Sequence, residues 1–246
     1  MTSTIKAVII IPSYNETLAL PQLLLELSLG LKDTDAVIVM DDSSIEIANV
    51  IENKCLKALA GSSFHFHFDK SGNKSGRGAA IRRGMLKSLD QYSDAAFIME
   101  CDADGSHRAI DILKIKNSES SSDLLIGSRY LPASEIIGWP MSRRIFSWIL
   151  NKSIPRIASV DVHDITNGLR RYSRDAVVEI LSKPQINTGF VYLSEQALIL
   201  SQKRMKITEE PVVFVDRTLG SSTVTWKEIG SSLLGVMKLL TNKKRR

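Results

Sequence analysis

The sequence predicts an α/β fold, a mostly parallel, open sheet flanked by helices on both faces. Three observations predict it. Short, uninterrupted, β-branched apolar runs such as Ala7–Ile11 recur, as expected of strands buried on both sides. Segments with apolar residues at helical spacing lie between them, which gives the βαβα order of a parallel sheet. Nearly every polar cluster falls directly after one of the apolar runs, at the carboxyl ends where open parallel sheets gather their ligands.

The elements follow in order. Ala7–Ile11 is the first strand, and Thr17–Leu31 is helical, with Pro21 tolerated in its first turn. Ala36–Met40 is the second strand, followed by a helix over Ile45–Ala60. Phe64–Phe68 alternates Phe and His and reads as the third strand, and Arg77–Leu89 as a helix. Ala95–Cys101 and Asp123–Gly127 are the fourth and fifth strands, with the polar stretch Asn117–Ser122 a loop. After about residue 130 the pattern changes. Gly138-Trp139-Pro140 opens an arginine-bearing helix over Ser142–Ile154, helices recur at Arg174–Leu181 and Phe190–Lys203, and a strand lies near Lys206–Val215. Thr225–Thr241 is a last helix with Ile229, Leu233, Met237 and Leu240 on one face, followed by Lys243-Lys244-Arg245-Arg246. Nothing resembles a repeat or a linker. The expected organisation is one domain over 1–224 and an amphipathic helix with a basic tail over 225–246.

A chain of 246 residues with 43% hydrophobic and 24% charged residues can bury an ample core and is not a disordered protein. Its net charge of +5 suggests an anionic partner without choosing among nucleotides, nucleic acid and a membrane face. The two cysteines, Cys55 and Cys101, have no metal-ligand spacing and make no disulfide framework, which fits a cytoplasmic setting. The apolar run before Pro12 is too short for a signal peptide or a membrane span.

The strand ends carry Pro12-Ser13-Tyr14-Asn15-Glu16, Asp41-Asp42-Ser43-Ser44, the Lys70–Gly78 loop, Asp102-Ala103-Asp104-Gly105-Ser106-His107 and Gly127-Ser128-Arg129-Tyr130. Carboxylates and cations thus converge on one sheet edge. Asp102 and Asp104, two apart after a buried run, are hard oxygen ligands suited to Mg²⁺ or Mn²⁺ bridging a diphosphate. Spacing alone equally admits a helix cap and a solvated turn. Asp41-Asp42 reads as a ribose or base acceptor or as part of a helix N-cap. Tyr14 could stack on a base and Glu16 could bond a ribose, or the run could be a turn. The Lys70–Gly78 loop lacks P-loop spacing.

In combination these clusters resemble inverting glycosyltransferases of family 2, which have the GT-A fold. The likeness is greatest to the polyprenol-phosphate glycosyltransferases, dolichol-phosphate mannose synthases among them. It runs from about Ala7 to Leu240 and includes Gly138-Trp139 with Arg143 and Arg144. Asp164-Ile165-Thr166 with Arg170 and Tyr172, Glu210-Pro211-Val212, Phe214-Val215-Asp216-Arg217 and Gly220-Ser221-Ser222 complete it. The Val-Asp-Arg segment points to the lipid-phosphate branch.

The resemblance implies a Rossmann-like nucleotide-binding half, an acceptor-binding half, and transfer of mannose from GDP-mannose to a polyprenyl or dolichyl phosphate with inversion. By position, Pro12, Tyr14, Glu16, Met40 and Asp42 would line the nucleoside pocket. Asp102, Ala103 and Asp104 would meet the nucleotide sugar, with Asp102, Asp104 and Ser106 at a Mg²⁺ or Mn²⁺ ion. Arg129 and Arg217 would bind the donor, and Arg143, Arg144 and Arg217 the acceptor phosphate; Asp104, Arg129 and Arg217 would be catalytic. Arginine's planar fork suits phosphate oxygens. The same resemblance implies peripheral contact at the cytoplasmic membrane face, with or without a membrane-anchoring subunit. Three departures leave another donor, such as UDP-glucose, or another acceptor open. The family's Gly-Leu-Gly is Gly76-Arg77-Gly78, its Thr-Gly-Ser-Phe-Arg is Thr166-Asn167-Gly168-Leu169-Arg170, and Thr223 stands where relatives carry a donor-contacting lysine.

His65 and His67 read as sheet-surface residues rather than a metal pair, and His107 as a helix-starting residue rather than a base. Trp139 and Trp148 are core residues or lipid-facing ones. A non-catalytic nucleic-acid-binding protein would interleave basic and aromatic residues along one surface, and no such motif appears. A sugar nucleotidyltransferase should carry a Gly-rich signature with a lysine after the first strand, which Pro12–Glu16 is not.

Overall fold

The computed structural model describes residues 4–216 except 159 and 190. Arg217, Thr223, the expected helix over 225–241 and the basic tail lie outside the described residues.

The parallel strands form where expected: β1 (Ala7–Ser13), β2 (Asp35–Asp41), β3 (His65–Lys70), β4 (Phe97–Glu100), β5 (Leu124–Ser128) and β8 (Ile207–Pro211). The seven-stranded sheet has the order β3-β2-β1-β4-β7-β5-β8, where β7 (Arg170–Ser173) runs antiparallel to β4 and β5. A second, two-stranded parallel sheet pairs β6 (Glu135–Ile137) with β9 (Val213–Val215). The expected strand over 206–215 is therefore two strands, broken at Val212.

Side chains alternate across each strand, so β1 and β2 supply two cores at once. Val8, Ile10, Ile38 and Met40 face α3 (Arg77–Gln91), α6 (Arg174–Leu181) and α7 (Tyr192–Gln202). Ile9, Ile11, Val37 and Val39 face α1 (Ala19–Ser28), α2 (Ile45–Ala58) and α4 (Ala109–Asn117). The amphipathic faces that predicted the helices are the ones buried: Leu20, Leu23, Leu24 and Leu27 on α1, and Ala80, Ile81 and Met85 on α3. Ser44 and Ser173 cap α2 and α6 through their side chains, accepting from Ile47 N and Ala176 N.

Gly84 lets α3 settle directly on β1. A Cβ there would lie 2.5 Å from Ile10 Cγ2 and 3.2 Å from Met40 Cγ. Gly84→Ala should therefore overpack this face and cost about 1–3 kcal/mol despite alanine's better helix propensity, measurable as a lower midpoint in urea unfolding.

β7 carries two buried arginines and could not be read as a strand from pattern. Its charges are absorbed by carbonyls. Arg170 donates to the oxygens of Asn167 (2.9 Å), Leu193 (2.7 Å) and Ile165 (2.7 Å). Arg171 donates to the oxygens of Ile115, Ser118 and Ser120, closing the carboxyl end of α4 where the helix leaves its carbonyls unsatisfied. Thus β7 ties the two halves of the sheet together immediately beside the strand that carries the acidic pair.

Candidate active site

The loops after β1, β2, β3 and β4 meet at one edge of the sheet. Asp42 N donates to Ser13 O (2.9 Å), Asn15 N to Ser43 Oγ (2.8 Å) and Ser71 N to Asp41 O (2.9 Å). Asn15 takes a left-handed conformation, φ 62°, which aims the loop back over β2. Tyr14 is 39% exposed, with Lys74 Nζ 4.6 Å above its ring. Pro12 and Glu16 are half-buried on the same loop. Met40 is placed differently: its side chain is 2% exposed and packs in the core under α3. Strand alternation turns its side chain inward.

Asp42 clasps the Lys70–Gly78 loop. One carboxylate oxygen accepts from Ser71 Oγ (2.9 Å) and Arg83 Nη2 (2.6 Å), the other from Ser75 N (2.8 Å) and Ser75 Oγ (2.6 Å). Burial pushes its pKa up, but the hydrogen bonds from Ser75, Arg83 and Ser71 outweigh this and hold it below the ordinary carboxylate value. The loop is consequently fixed.

At the end of β4, Asp102 and Asp104 flank buried Ala103, and both side chains are partly exposed. Ser106 N donates to Asp104 Oδ1 (3.0 Å), a turn that gives the loop its shape. His107 is 1% exposed. Its Nδ1 accepts from Asp102 N (3.0 Å), and Nε2 meets Asn167 Oδ1 at 2.9 Å. With Nδ1 as acceptor, Nε2 donates to Asn167, so the ring braces the acidic loop.

Sequence reasoning missed what lies beneath this loop. Arg77 Nε donates to Asp102 Oδ1 (2.7 Å), Nη1 to Glu100 Oε2 (2.8 Å) and Nη2 to Gly168 O (3.2 Å). Glu100 is wholly buried and also accepts from the hydroxyls of Tyr172 (2.6 Å) and Tyr192. Burial raises the Glu100 pKa, against the pull of Arg77 and Arg170. A Cβ at Gly168 would lie 2.4 Å from Arg77 Nη2, so any other residue there would require the guanidinium to shift. The one available signal was an acid, Glu100, closing an otherwise apolar strand.

The cations expected on the acceptor side lie along a second arm. Val215 N donates to Ser106 O (3.1 Å) and His107 bridges to Phe214, so the β6–β9 pair runs against the acidic loop. The ring of Phe214 meets those of His107 (5.4 Å) and Trp139 (5.2 Å) edge-on. Trp139 is 7% exposed, a packing residue, whereas Trp148 on α5 (Met141–Ala158) is 51% exposed. Arg143 lies 4.1 Å over the Trp139 ring and bonds Asp216 (2.8 Å). Arg144 donates to Ile136 O and Trp139 O. Arg129 is 8% exposed and forks onto Asp164, Nε to Oδ2 (2.7 Å) and Nη2 to Oδ1 (2.8 Å), with Thr166 Oγ1 at 2.7 Å from Nη2. Burial opposes both charges, yet each holds the other ionised: the arginine pKa is raised and the aspartate's lowered. Arg129 is thus held in place by a carboxylate. A groove of about 560 Å³ opens beyond this pair, bordered by Tyr130, Trp148, Lys152 and Arg156.

Carboxylates at one sheet edge, the loop clasped by Asp42 and the adjoining arginine arm sit on a mostly parallel sheet of GT-A architecture. The chain belongs to glycosyl transferase family 2, whose model matches residues 8–181. It is 29% identical to an undecaprenyl-phosphate mannosyltransferase of Micrococcus luteus, over 93% of this chain and 91% of that one. It is 28% identical to a polyprenol monophosphomannose synthase of Mycolicibacterium smegmatis, over 95% and 86%. In fold it matches glucosyl-3-phosphoglycerate synthase of Mycobacterium tuberculosis, solved with Mn²⁺, UDP and phosphoglyceric acid. That match has a TM-score of 0.65 at 14% identity and covers 96% of this chain and 78% of the other.

Proposed function

We propose that this glycosyltransferase moves mannose from GDP-mannose to a polyprenyl phosphate at the Asp102–Asp104 loop, with inversion. The observation that carries the reading is the adjacency of the two arms. The β6–β9 pair, with Arg143 and Arg144 beside it, is hydrogen-bonded to the loop that holds both carboxylates. An anionic leaving group and an anionic acceptor need such an arrangement, acids for a metal on one side and cations on the other. Two relatives named for polyprenol-phosphate mannose transfer, alike over most of both chains, support the same acceptor and sugar.

The residues present fit a divalent cation. Asp102 and Asp104 offer hard oxygens, and the buried Ser106 Oγ has no hydrogen-bond partner among the described residues, an orphan that a ligand or its water would satisfy. Bound there, Mg²⁺ or Mn²⁺ would act as a Lewis acid on the diphosphate. The chain's own residues do the rest. Tyr14 and Glu16 would face the nucleoside, and Asp42 acts by holding its loop. Arg143, Arg144 and Arg217 would orient the acceptor phosphate. One phosphate oxygen forms the bond to the anomeric carbon as the bond from that carbon to the diphosphate breaks, and the electron pair leaves with GDP. The acceptor is already anionic at neutral pH, so no protein base is required, in keeping with His107 being committed to the loop.

The acceptor's lipid implies action at a membrane face. No helix among the described residues is long and apolar enough to cross a membrane. α5 leaves Met141, Ile145, Trp148 and Ile149 exposed at helical spacing and contains no acid, which supports peripheral contact.

The test is transfer of radiolabelled sugar from GDP-mannose and from UDP-glucose to polyprenyl phosphate, with Mn²⁺ or with chelator. Metal-dependent formation of a mannosyl lipid is expected. Preference for UDP-glucose would replace the donor, and no lipid product from either would sink the acceptor assignment.

A further inference from the structure

We propose that Arg77 is a positioning residue, a built-in countercharge that acts through Asp102. It makes the empty donor site a poor host for a bare divalent cation and a good one for an anionic diphosphate. The inference rests on the donor-site reading above. Arg77 is 12% exposed at its side chain and divides its guanidinium between two carboxylates, the wholly buried Glu100 and the partly exposed Asp102. Glu100 has two tyrosine hydroxyls besides, so its burial does not by itself call for a cation. The cation's second partner, Asp102, is a residue placed to meet a metal and its nucleotide. A bare divalent ion approaching Asp102 meets a fixed positive charge directly behind the carboxylate, whereas a diphosphate is attracted by that charge.

The guanidinium is held before any ligand arrives. Arg77 follows Ser75, whose amide and hydroxyl are fixed on Asp42, and it starts α3. Gly78 N is bonded to Thr188 O (2.8 Å), and Glu195 fixes that second segment by accepting from the amides of Ile186 (2.8 Å) and Asn187 (3.0 Å). A charge so preorganised costs no rearrangement on binding. In addition, no group of three or more His, Cys, Asp or Glu able to hold a metal exists among the described residues.

The experiment measures binding rather than turnover, on the full chain. Mn²⁺ is titrated by electron paramagnetic resonance without nucleotide and with GDP or UDP, and each nucleotide is titrated by calorimetry in chelator. Wild type should bind Mn²⁺ at least about tenfold more tightly with nucleotide than without. Arg77→Gln, neutral but still a hydrogen-bond donor, should tighten bare Mn²⁺ and weaken metal-free nucleotide, each roughly tenfold. Arg77→Lys keeps the charge but loses the fork, so it should shift both ligands less than Arg77→Gln does. A structural role alone would move the two ligands in the same direction. Shifts of one sign, no shift in Arg77→Gln, or wild type taking bare Mn²⁺ as tightly as with nucleotide would each overturn the proposal. So would failure of both variants to fold, which would assign Arg77 to the core. Wild type that binds neither nucleotide with Mn²⁺ would overturn the donor-site reading and the countercharge together. Nucleotide binding with unmoved variants would overturn the countercharge alone.

Discussion

Asp104→Ala is expected to lower sugar transfer by about 10²–10³-fold or more while leaving the protein folded, since removing one preorganised stabiliser of developing charge has effects of that size. Asp104 is partly exposed and accepts a hydrogen bond from Ser106 N. A melting curve recorded alongside transfer checks that the lost activity is not lost folding. Metal dependence should change with it, more Mn²⁺ being needed for the residual rate. Asp102 makes a poorer probe, because its loss takes one of the two carboxylates from the buried Arg77 guanidinium and mixes stability with chemistry. Full metal-dependent transfer by a folded Asp104→Ala enzyme would remove the metal from this loop.

The parallel strands and the loops at their ends were legible because burial on both faces forces continuous apolar runs, and Ile9–Ile11 or Val37–Val39 can be little else. The clustering of Asp42, Asp102 and Asp104 at one edge then followed from topology. β7 was not legible. Its Arg170-Arg171 pair is polar by composition, and what makes it a central strand is a set of carbonyls, those of Leu193 and Ser118 far away in sequence and that of nearby Ile165. The placement of the Met40 side chain was not legible for a related reason. A motif gives the residue's position, but the alternation of the strand decides which side its chain takes, and that side is the core. Arg77 looked like a departure in a glycine-rich loop. Only the fold brings Glu100 and Gly168 to it, through contacts spanning 23 and 91 residues.

The same limit applies to Arg129, and it leads to the largest stability effect expected here. Asp164→Ala should cost about 3–5 kcal/mol, since it leaves a buried guanidinium without its partner. Arg129 is 8% exposed and Asp164 wholly buried. The aspartate also accepts from Arg129 N (3.0 Å), so the loop after β5 loses an anchor together with the charge. Glu209 fixes the opposite side by accepting from Asp164 N (2.8 Å). Acid should act in the same direction. The folded-state pKa of Asp164 lies below its unfolded value, so the pair's stabilisation is present above the unfolded pKa and lost as pH falls through the folded one. Urea unfolding of wild type should accordingly weaken as pH drops below about 4, and Asp164→Asn should show a flatter decline from a lower start. Replacing both partners by leucine should recover much of the lost stability, because no buried charge then stands alone. The double variant also separates the two roles of Arg129. If the arginine only anchors the loop, transfer returns with stability. If its cation is felt by the substrate phosphates, the protein regains its fold and stays inactive. The latter is the result expected, because the Arg129 fork lies 5.3 Å from the Phe214 ring, on the arm that is bonded to the acidic loop through Ser106. A loss of stability below about 1 kcal/mol in Asp164→Ala would mean that the pair is solvated in solution and that the arm is held by its aromatic contacts instead.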